Sequence, residues 1–409
     1  IWGFFFWLLV SLGVLQNDMG GEVLAFALLA IVSYLLIRKD QFSLIKEWFR
    51  EHWKLFLRIE VVFLVFFAGW TVVRAANPEI AYTEKPMELA FINSILKSPG
   101  FPPQDPWLSG FAISYYYFGY VMIAMLIRIT GVASGVGFNL TSAMWFGMTA
   151  AAAYGLVYDL LLQYARQRHP SADRSDTLAK RGALLSPLFL LIAGNLEGLL
   201  EVLYARGFFW NADGTSKFWS WLQIAELDTA PSMPASWFPN RPTGWLWWRG
   251  SRVIQDTGVL GNKIEIIDEF PFFSYLLSDL HPHVLAMPFS LLAIATALNF
   301  YITGMQQRVP GWSLREWLKR RKFWLVALIL GVMGFLNTWN FPIYVGLFSM
   351  VYAFIRIRQE GWRWKRLGEF IASGLTLGIA GALLFLPFYV GFRSQAGGFL
   401  PSLEFLTRG

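Results

Sequence analysis

Leu55-Phe-Leu-Arg-Ile-Glu-Val-Val-Phe-Leu-Val-Phe-Phe-Ala-Gly-Trp-Thr-Val-Val-Arg74 is apolar almost throughout. A helix that crosses a bilayer needs about 20 mostly apolar residues, because each residue advances it by only ~1.5 Å. The stretch therefore reads as a membrane span. Comparable runs lie near 2–15, 22–37, 111–130, 139–164, 182–204, 272–303, 323–338, 341–355 and 367–392. The first is short for a span and opens at Ile1 without a methionine, as a trimmed end or a signal-like segment would. Between the eighth and ninth runs lies Asn337-Thr-Trp-Asn340-Phe-Pro342, which suits a tight turn or a broken helix.

Composition agrees with this reading. The 409 residues are 56% hydrophobic and only 15% charged, with a mean hydropathy of +0.45, whereas soluble chains carry about 25% charged residues. These figures argue against a disordered chain, a nucleic-acid-binding domain and a soluble two-layer enzyme. They predict an all-α, polytopic transmembrane helical bundle of about nine to ten membrane segments. With no cysteine there is no disulfide, thiolate metal site or cysteine nucleophile.

The net charge of +7 is explained by where the charges sit. Four short connections, 38–54, 165–181, 306–322 and 356–366, hold 21 of the 34 Lys and Arg. Two long connections, 75–110 and 205–271, hold eight Lys and Arg against eleven Asp and Glu. The positive-inside rule places the basic stretches in the cytoplasm and the long loops outside. An even number of spans separates 75–110 from 165–181, so one segment must be re-entrant or 165–181 must lie outside. We expect the second, with 182–204, interrupted by Asn195-Leu-Glu197-Gly198, dipping in and returning. The amphipathic stretch 41–53 is expected to rest on the cytoplasmic surface. The predicted organisation is thus 1–54, N-terminal membrane segments with this stretch, and 55–409, a transmembrane core bearing the outside loops 75–110 and 205–271.

Ionisable residues beside apolar runs are the natural place to look for chemistry. The first outside loop contains Thr83-Glu84-Lys85-Pro86-Met87-Glu88 and, further on, Asp105-Pro106-Trp107. Glu84 and Glu88 are four apart and share one face of a helix. Such a pair can bind a divalent cation or act as acid and base, although a solvated surface pair has the same spacing. Tyr115-Tyr116-Tyr117 follows at the mouth of a run. On a helix three successive rings point ~100° apart, so at least one hydroxyl faces protein and needs a partner; an interfacial aromatic belt is the alternative.

The sharpest constellation is Asp268-Glu269-Phe-Pro271-Phe-Phe-Ser274-Tyr275-Leu-Leu-Ser278-Asp279-Leu-His281-Pro282-His283, which holds two of only four histidines. The histidines can hold a phosphate, exchange protons or coordinate a metal. They are a poor helical zinc pattern, because i and i+2 face apart. Asp279 as a span cap, with the histidines among headgroups, is the bland alternative. The second outside loop adds Trp210, Trp219, Trp221, Trp237, Trp245, Trp247 and Trp248 with Arg241, Arg249 and Arg252. Indole faces pack on sugars or lipid, and arginine forks bind phosphate. Asn337, Trp339 and Asn340 form one more polar break on the same predicted side. No Walker loop, GxSxG elbow, HExxH or dinucleotide fingerprint occurs.

Taken together, Glu84-Lys-Pro-Met-Glu88, Asp105-Pro-Trp107, the Tyr115–Tyr117 triplet, Glu269-Phe-Pro-Phe-Phe273, Asp279-Leu-His-Pro-His283 and Asn337-Thr-Trp-Asn340 resemble one family. It is the YYY-signature family of polytopic membrane proteins of green non-sulfur bacteria and archaea, and the resemblance covers about residues 55–400. That family is similar to membrane glycosyltransferases of the GT-C type. The resemblance implies a GT-C-like core within a longer protein, in the cell membrane with its active face extracytoplasmic. It implies transfer of a sugar from a polyprenyl-phosphate-linked donor to an acceptor. Glu84, Glu88 or Asp105 would be the catalytic carboxylate, with Glu84 and Glu88 as ligands if a divalent Mg or Mn ion takes part. Tyr115, Tyr116, Tyr117, Glu269, Asp279, His281, His283, Asn337, Trp339 and Asn340 would bind substrate. The adjacent acidic pair usual in GT-C enzymes is absent, since three residues separate Glu84 from Glu88. Partners would be membrane lipid and the donor, with no nucleic acid. A transporter or lipid flippase, using Glu197, Asp279 and the histidines as a path, is the runner-up, and a non-catalytic subunit of a membrane complex is the third reading.

Overall fold

A computed structural model describes residues 1–37, 39–168, 172–224, 227–231, 246–253, 255–257 and 261–393. The first helices are α1 (Trp2–Ser11), α2 (Met19–Leu36), α3 (Lys39–Ala76), α4 (Lys85–Lys97), α5 (Phe118–Thr130), α6 (Ser134–Arg168), α7 (Ala172–Gly182) and α8 (Leu185–Leu188). A π-helical turn, Phe189–Ala193, precedes α9 (Glu197–Ala205), α10 (Lys217–Leu222) and α11 (Leu246–Gly250). An antiparallel pair, β1 (Gln255–Thr257) and β2 (Lys263–Glu265), leads to α12 (Pro271–Leu277). The chain continues through α13 (Pro282–Gln306), α14 (Leu314–Leu318), α15 (Arg321–Leu336), α16 (Asn340–Glu360), α17 (Lys365–Leu384) and α18 (Leu386–Gly391).

Among the described residues six helices are long and apolar enough to cross a membrane: Met19–Leu36, Gln41–Ala76, Ser134–Arg168, Pro282–Gln306, Asn340–Glu360 and Lys365–Leu384. A seventh is counted if the bent pair Asp176–Ala193 and Glu197–Ala205 is one span. Trp2–Ser11 and Phe118–Thr130 are apolar but shorter. The all-α polytopic class is therefore as expected, with fewer full-length spans than nine or ten. Apolar side chains such as Leu35 (74% exposed) and Val65 (62%) project from these helices, as lipid-facing positions require.

The chain forms two compact units, Ile1–Pro187 with Ser278–Ser394, and Leu188–Leu277 with Gln395–Gly409. In the first, α3 runs without interruption through 41–53 and across position 54, because nothing in Lys39–Ala76 breaks a helix. The amphipathic stretch is thus continuous with the span that follows it. The run 111–130 is helical only from Phe118, and 272–303 is split between α12 and α13. The split falls at Ser278, whose φ of 64° is left-handed and ends the helix. Asn337–Asn340 is the tight turn expected between α15 and α16, with Asn340 N–H donating to the Asn337 carbonyl at 3.0 Å.

Local signals explain the helix ends that matter here. Asp18 caps α2 by accepting from Gly21 N–H at 2.7 Å, and left-handed Gly131 stops α5 at φ 68°. Asn17 ties this corner to α4 through bonds to the Ile95 and Ser98 carbonyls at 2.6 and 2.7 Å. Buried Glu22 pairs with Arg128 of α5 beside it. Packing at the opposite side of the unit depends on small residues. A Cβ on Gly331 of α15 would lie 2.7 Å from the Gly381 carbonyl of α17. Gly331→Ala is therefore expected to force the two helices apart and cost about 1–3 kcal/mol, read as a lower unfolding temperature in detergent.

The second unit holds much of the tryptophan-rich loop. Trp219 is buried there, donates to the Phe208 carbonyl at 2.9 Å and stacks with Trp210, next to Tyr204. These rings are the unit's own core, whereas Trp221 is exposed. Arg252 lies over Trp248 at 3.5 Å, and Arg249 forms a buried ion pair with Glu201 at 2.8 Å. Arg241, Trp237, Trp245 and the Trp247 side chain lie outside the described residues.

Candidate functional site

Two chain reversals in the first unit create the site. In the last turn of α3, Arg74 is buried and its Nε and Nη2 donate to Asn139 Oδ1 of α6 at 2.9 and 2.6 Å. Asn139 Nδ2 in turn holds the Pro78 carbonyl at 3.1 Å. The chain then turns sharply, with Tyr82 at φ 62° and Thr83 at φ 51°. A β-branched residue in this region is strained by about 1–3 kcal/mol, so the surroundings must hold it. Part of the hold is visible, since Thr83 Oγ1 donates to Asp279 Oδ1 at 2.6 Å. Glu84 then occupies the N-cap of α4, with proline in the first turn.

The second reversal is Ser278-Asp279-Leu280-His281. Buried Ser278 donates to Ser142 Oγ of α6 at 3.0 Å, fixing the left-handed residue. Asp279 is buried beside it, and His281 caps α13 ahead of Pro282. The Leu280 N–H donates to Glu88 Oε2 at 2.7 Å, which bolts α4 to the start of α13.

Glu84 Oε2 lies 3.2 Å from His281 Nε2, and the His281 and His283 Nδ1 atoms are 2.7 Å apart. A carboxylate only accepts, so His281 Nε2 carries the proton it shares with Glu84. One of the two Nδ1 atoms must donate to the other, giving a continuous chain Glu84–His281–His283. Tyr115 also hydrogen-bonds Glu84, and burial, then the Glu84 and Glu88 charges, push its hydroxyl up, keeping it a neutral donor.

Glu88 behaves differently from Glu84 although one helical turn separates them. It is fully buried, and Oε1 has no partner among the described residues. Burial, reinforced by the Asp279 charge, pushes its carboxyl well above the ordinary range against the pull of the Leu280 N–H. Glu88 holds backbone, and its burial favours the protonated form. Lys85 is buried too; burial lowers its pKa and the Asp279 charge opposes this. Tyr120 is completely buried near Glu88, and its hydroxyl has no partner among the described residues.

Within the first unit the structure thus brings together Glu84, Glu88, Tyr115, Asp279, His281 and His283. Asp105 Oδ1 accepts from Trp107 and Leu108 N–H at 2.8 and 2.9 Å, forming an Asx turn in its own loop. Tyr117 is buried in the aromatic core, against Phe335, and accepts from Trp7 Nε1 at 3.3 Å. Tyr116 packs on Phe392. The Tyr115 and Tyr116 rings touch, with centroids 5.4 Å apart, while Tyr117 turns into the core, because 115–117 precede α5 and do not follow helical spacing. Glu269 belongs to the second unit, where it accepts from Ser274 Oγ at 3.0 Å. Asn337, Trp339 and Asn340 make the α15–α16 turn. Arg74 and Tyr120 were not picked out from sequence. Arg74 had a usable signal, a cation at the predicted outside end of a span, against the positive-inside rule.

A resident divalent cation fits these residues poorly. Among the described residues no three His, Asp or Glu side chains converge to hold one. The geometry defines a multi-pass α-helical membrane protein with a charged cluster built where two strained reversals meet. Over residues 1–404 the chain matches the family described as uncharacterized membrane protein (DUF2298), and it belongs to that family. No curated protein and no solved structure matches it.

Proposed function

We propose that the protein is a membrane glycosyltransferase of GT-C type, transferring sugar from a polyprenyl-phosphate-linked donor to an acceptor hydroxyl at the extracytoplasmic face. The observation that carries this reading is the chain Glu84–His281–His283, with a half-exposed carboxylate at its end. Glu84 belongs to the 75–110 connection, whose acidic balance supports an outside position.

In this reaction Glu84 takes the proton of the acceptor hydroxyl as its oxygen bonds to the anomeric carbon. The bond from that carbon to the donor phosphate breaks, and the phosphate leaves with the electron pair. His281 and His283 stabilise the charge that develops there. Tyr115 orients Glu84, while Glu88, Thr83 and Asp279 hold the backbone in place. No step is routed through a metal.

The test follows release of polyprenyl phosphate from polyprenyl-phosphate sugars by the purified protein and its variants. Asp105→Asn is expected to retain transfer within about threefold, since its role is a turn that asparagine also makes. Loss of transfer in that variant, with the fold intact, would move the base from Glu84 to Asp105.

A further inference from the structure

A cavity of about 710 Å³ opens among α13, α15, α16 and α17 in the first unit, within the ~300–1,000 Å³ range of small-molecule sites. Its inner wall is apolar, with Phe300, Phe323, Phe348 and Leu377. Its mouth carries Arg308, Arg320, Arg321 and Lys322, and no carboxylate lines it. These cations belong to the basic stretch 306–322, which the charge pattern places in the cytoplasm.

The cavity is preformed. The segment that closes one side is pinned by Arg356, which donates to the Val309 carbonyl at 2.7 Å, and by Tyr352, which donates to the Pro310 carbonyl at 3.1 Å. Gln359 holds the Gly304 and Gln307 carbonyls at 2.7 and 2.9 Å. The nearby carboxylates are already engaged, Glu360 with Arg356, Arg366 and Arg308, and Glu369 with Arg366, so Arg308 is paired and the other three cations carry the charge of the mouth. Arg320, Arg321 and Lys322 have no carboxylate within ion-pair distance among the described residues. Arg320 rests over Trp317, and Arg321 donates to the Leu36 carbonyl at 3.3 Å.

Trp317 is buried and forms part of the wall, with Arg320 over its ring.

We propose that this cavity binds one anionic glycerophospholipid of the cytoplasmic leaflet. Its phosphate engages Arg320, Arg321 and Lys322, and an acyl chain lies along the phenylalanine wall. A soluble anion would use the mouth alone and leave the apolar wall wet. Basic pockets between transmembrane helices at this face suit anionic headgroups. The assignment is independent of the glycosyltransferase reading.

The test is native mass spectrometry of the purified protein with dioleoyl phosphatidylglycerol or dioleoyl phosphatidylcholine, alongside thermal unfolding in each lipid. The wild type is expected to retain phosphatidylglycerol at least about tenfold better and to unfold at higher temperature in its presence. The triple variant Arg320→Gln, Arg321→Gln, Lys322→Gln alters only exposed side chains, so it folds, and it loses the preference. Equal retention of both lipids by the wild type would overturn the proposal, as would an unchanged preference in the triple variant. Displacement of the lipid by glycerol phosphate alone, without an acyl chain, would overturn it in favour of a soluble anion.

Discussion

Glu84→Gln is expected to lower sugar transfer by about 10²–10⁴-fold, the usual worth of a positioned general base. Glutamine keeps the size of the side chain and can still accept from His281 Nε2 and Tyr115 through its amide oxygen. The unfolding temperature should therefore stay within a degree or two, since Glu84 is half-exposed and makes no buried bond. What is lost is the capacity to take a proton. If Glu84 and His281 act as one device, Glu84→Gln combined with His281→Asn should cost little more than the worse single variant. Losses that multiply would mean two independent roles and would break the chain drawn from Glu84 to His283.

Glu88 should respond in the opposite way, with stability moving more than chemistry. Glu88→Gln preserves the acceptor for the Leu280 N–H and removes the titratable proton. It should keep transfer within about tenfold. Glu88→Ala leaves that buried N–H unsatisfied and opens a cavity, a loss of roughly 2–4 kcal/mol. Because α13 begins at this bond, the alanine variant should also lose transfer through misplaced His281. The pH dependence follows from the raised carboxyl pKa. The folded state holds the proton more tightly than the unfolded chain does. Its stabilising contribution is complete below the ordinary carboxylate range and declines as pH rises toward the folded value. Unfolding temperatures between pH 4 and 9 should thus fall more steeply for the wild type than for Glu88→Gln. Parallel curves would show that Glu88 is ionised in the folded protein.

The long helices were legible because a membrane imposes one dominant constraint, an unbroken apolar run, and α2, α6, α13 and α16 obey it. The Asn337–Asn340 turn was legible from two asparagines and a proline. The break at Ser278 was not, because its left-handed backbone is imposed by tertiary contacts such as Ser142 rather than by a local glycine. The meeting of Glu84 with His281, nearly two hundred positions apart in sequence, also had no local signal, although each motif stood out by itself. Equal spacing suggested equal roles for Glu84 and Glu88. Burial separates them, leaving one half-exposed and the other enclosed against the Leu280 N–H. The tyrosine triplet was read on a helix that starts one residue later, so only Tyr115 reaches the cluster.

The central claim is that this cluster transfers sugar from a lipid phosphate. Its most direct test is incubation of the wild-type protein, reconstituted in lipid nanodiscs, with a panel of polyprenyl-phosphate sugars and measurement of the polyprenyl phosphate released. We expect release from at least one donor, with Glu84→Gln reducing it by at least about a hundredfold. Absence of release from every donor by the folded protein, or equal release by Glu84→Gln, would contradict the account.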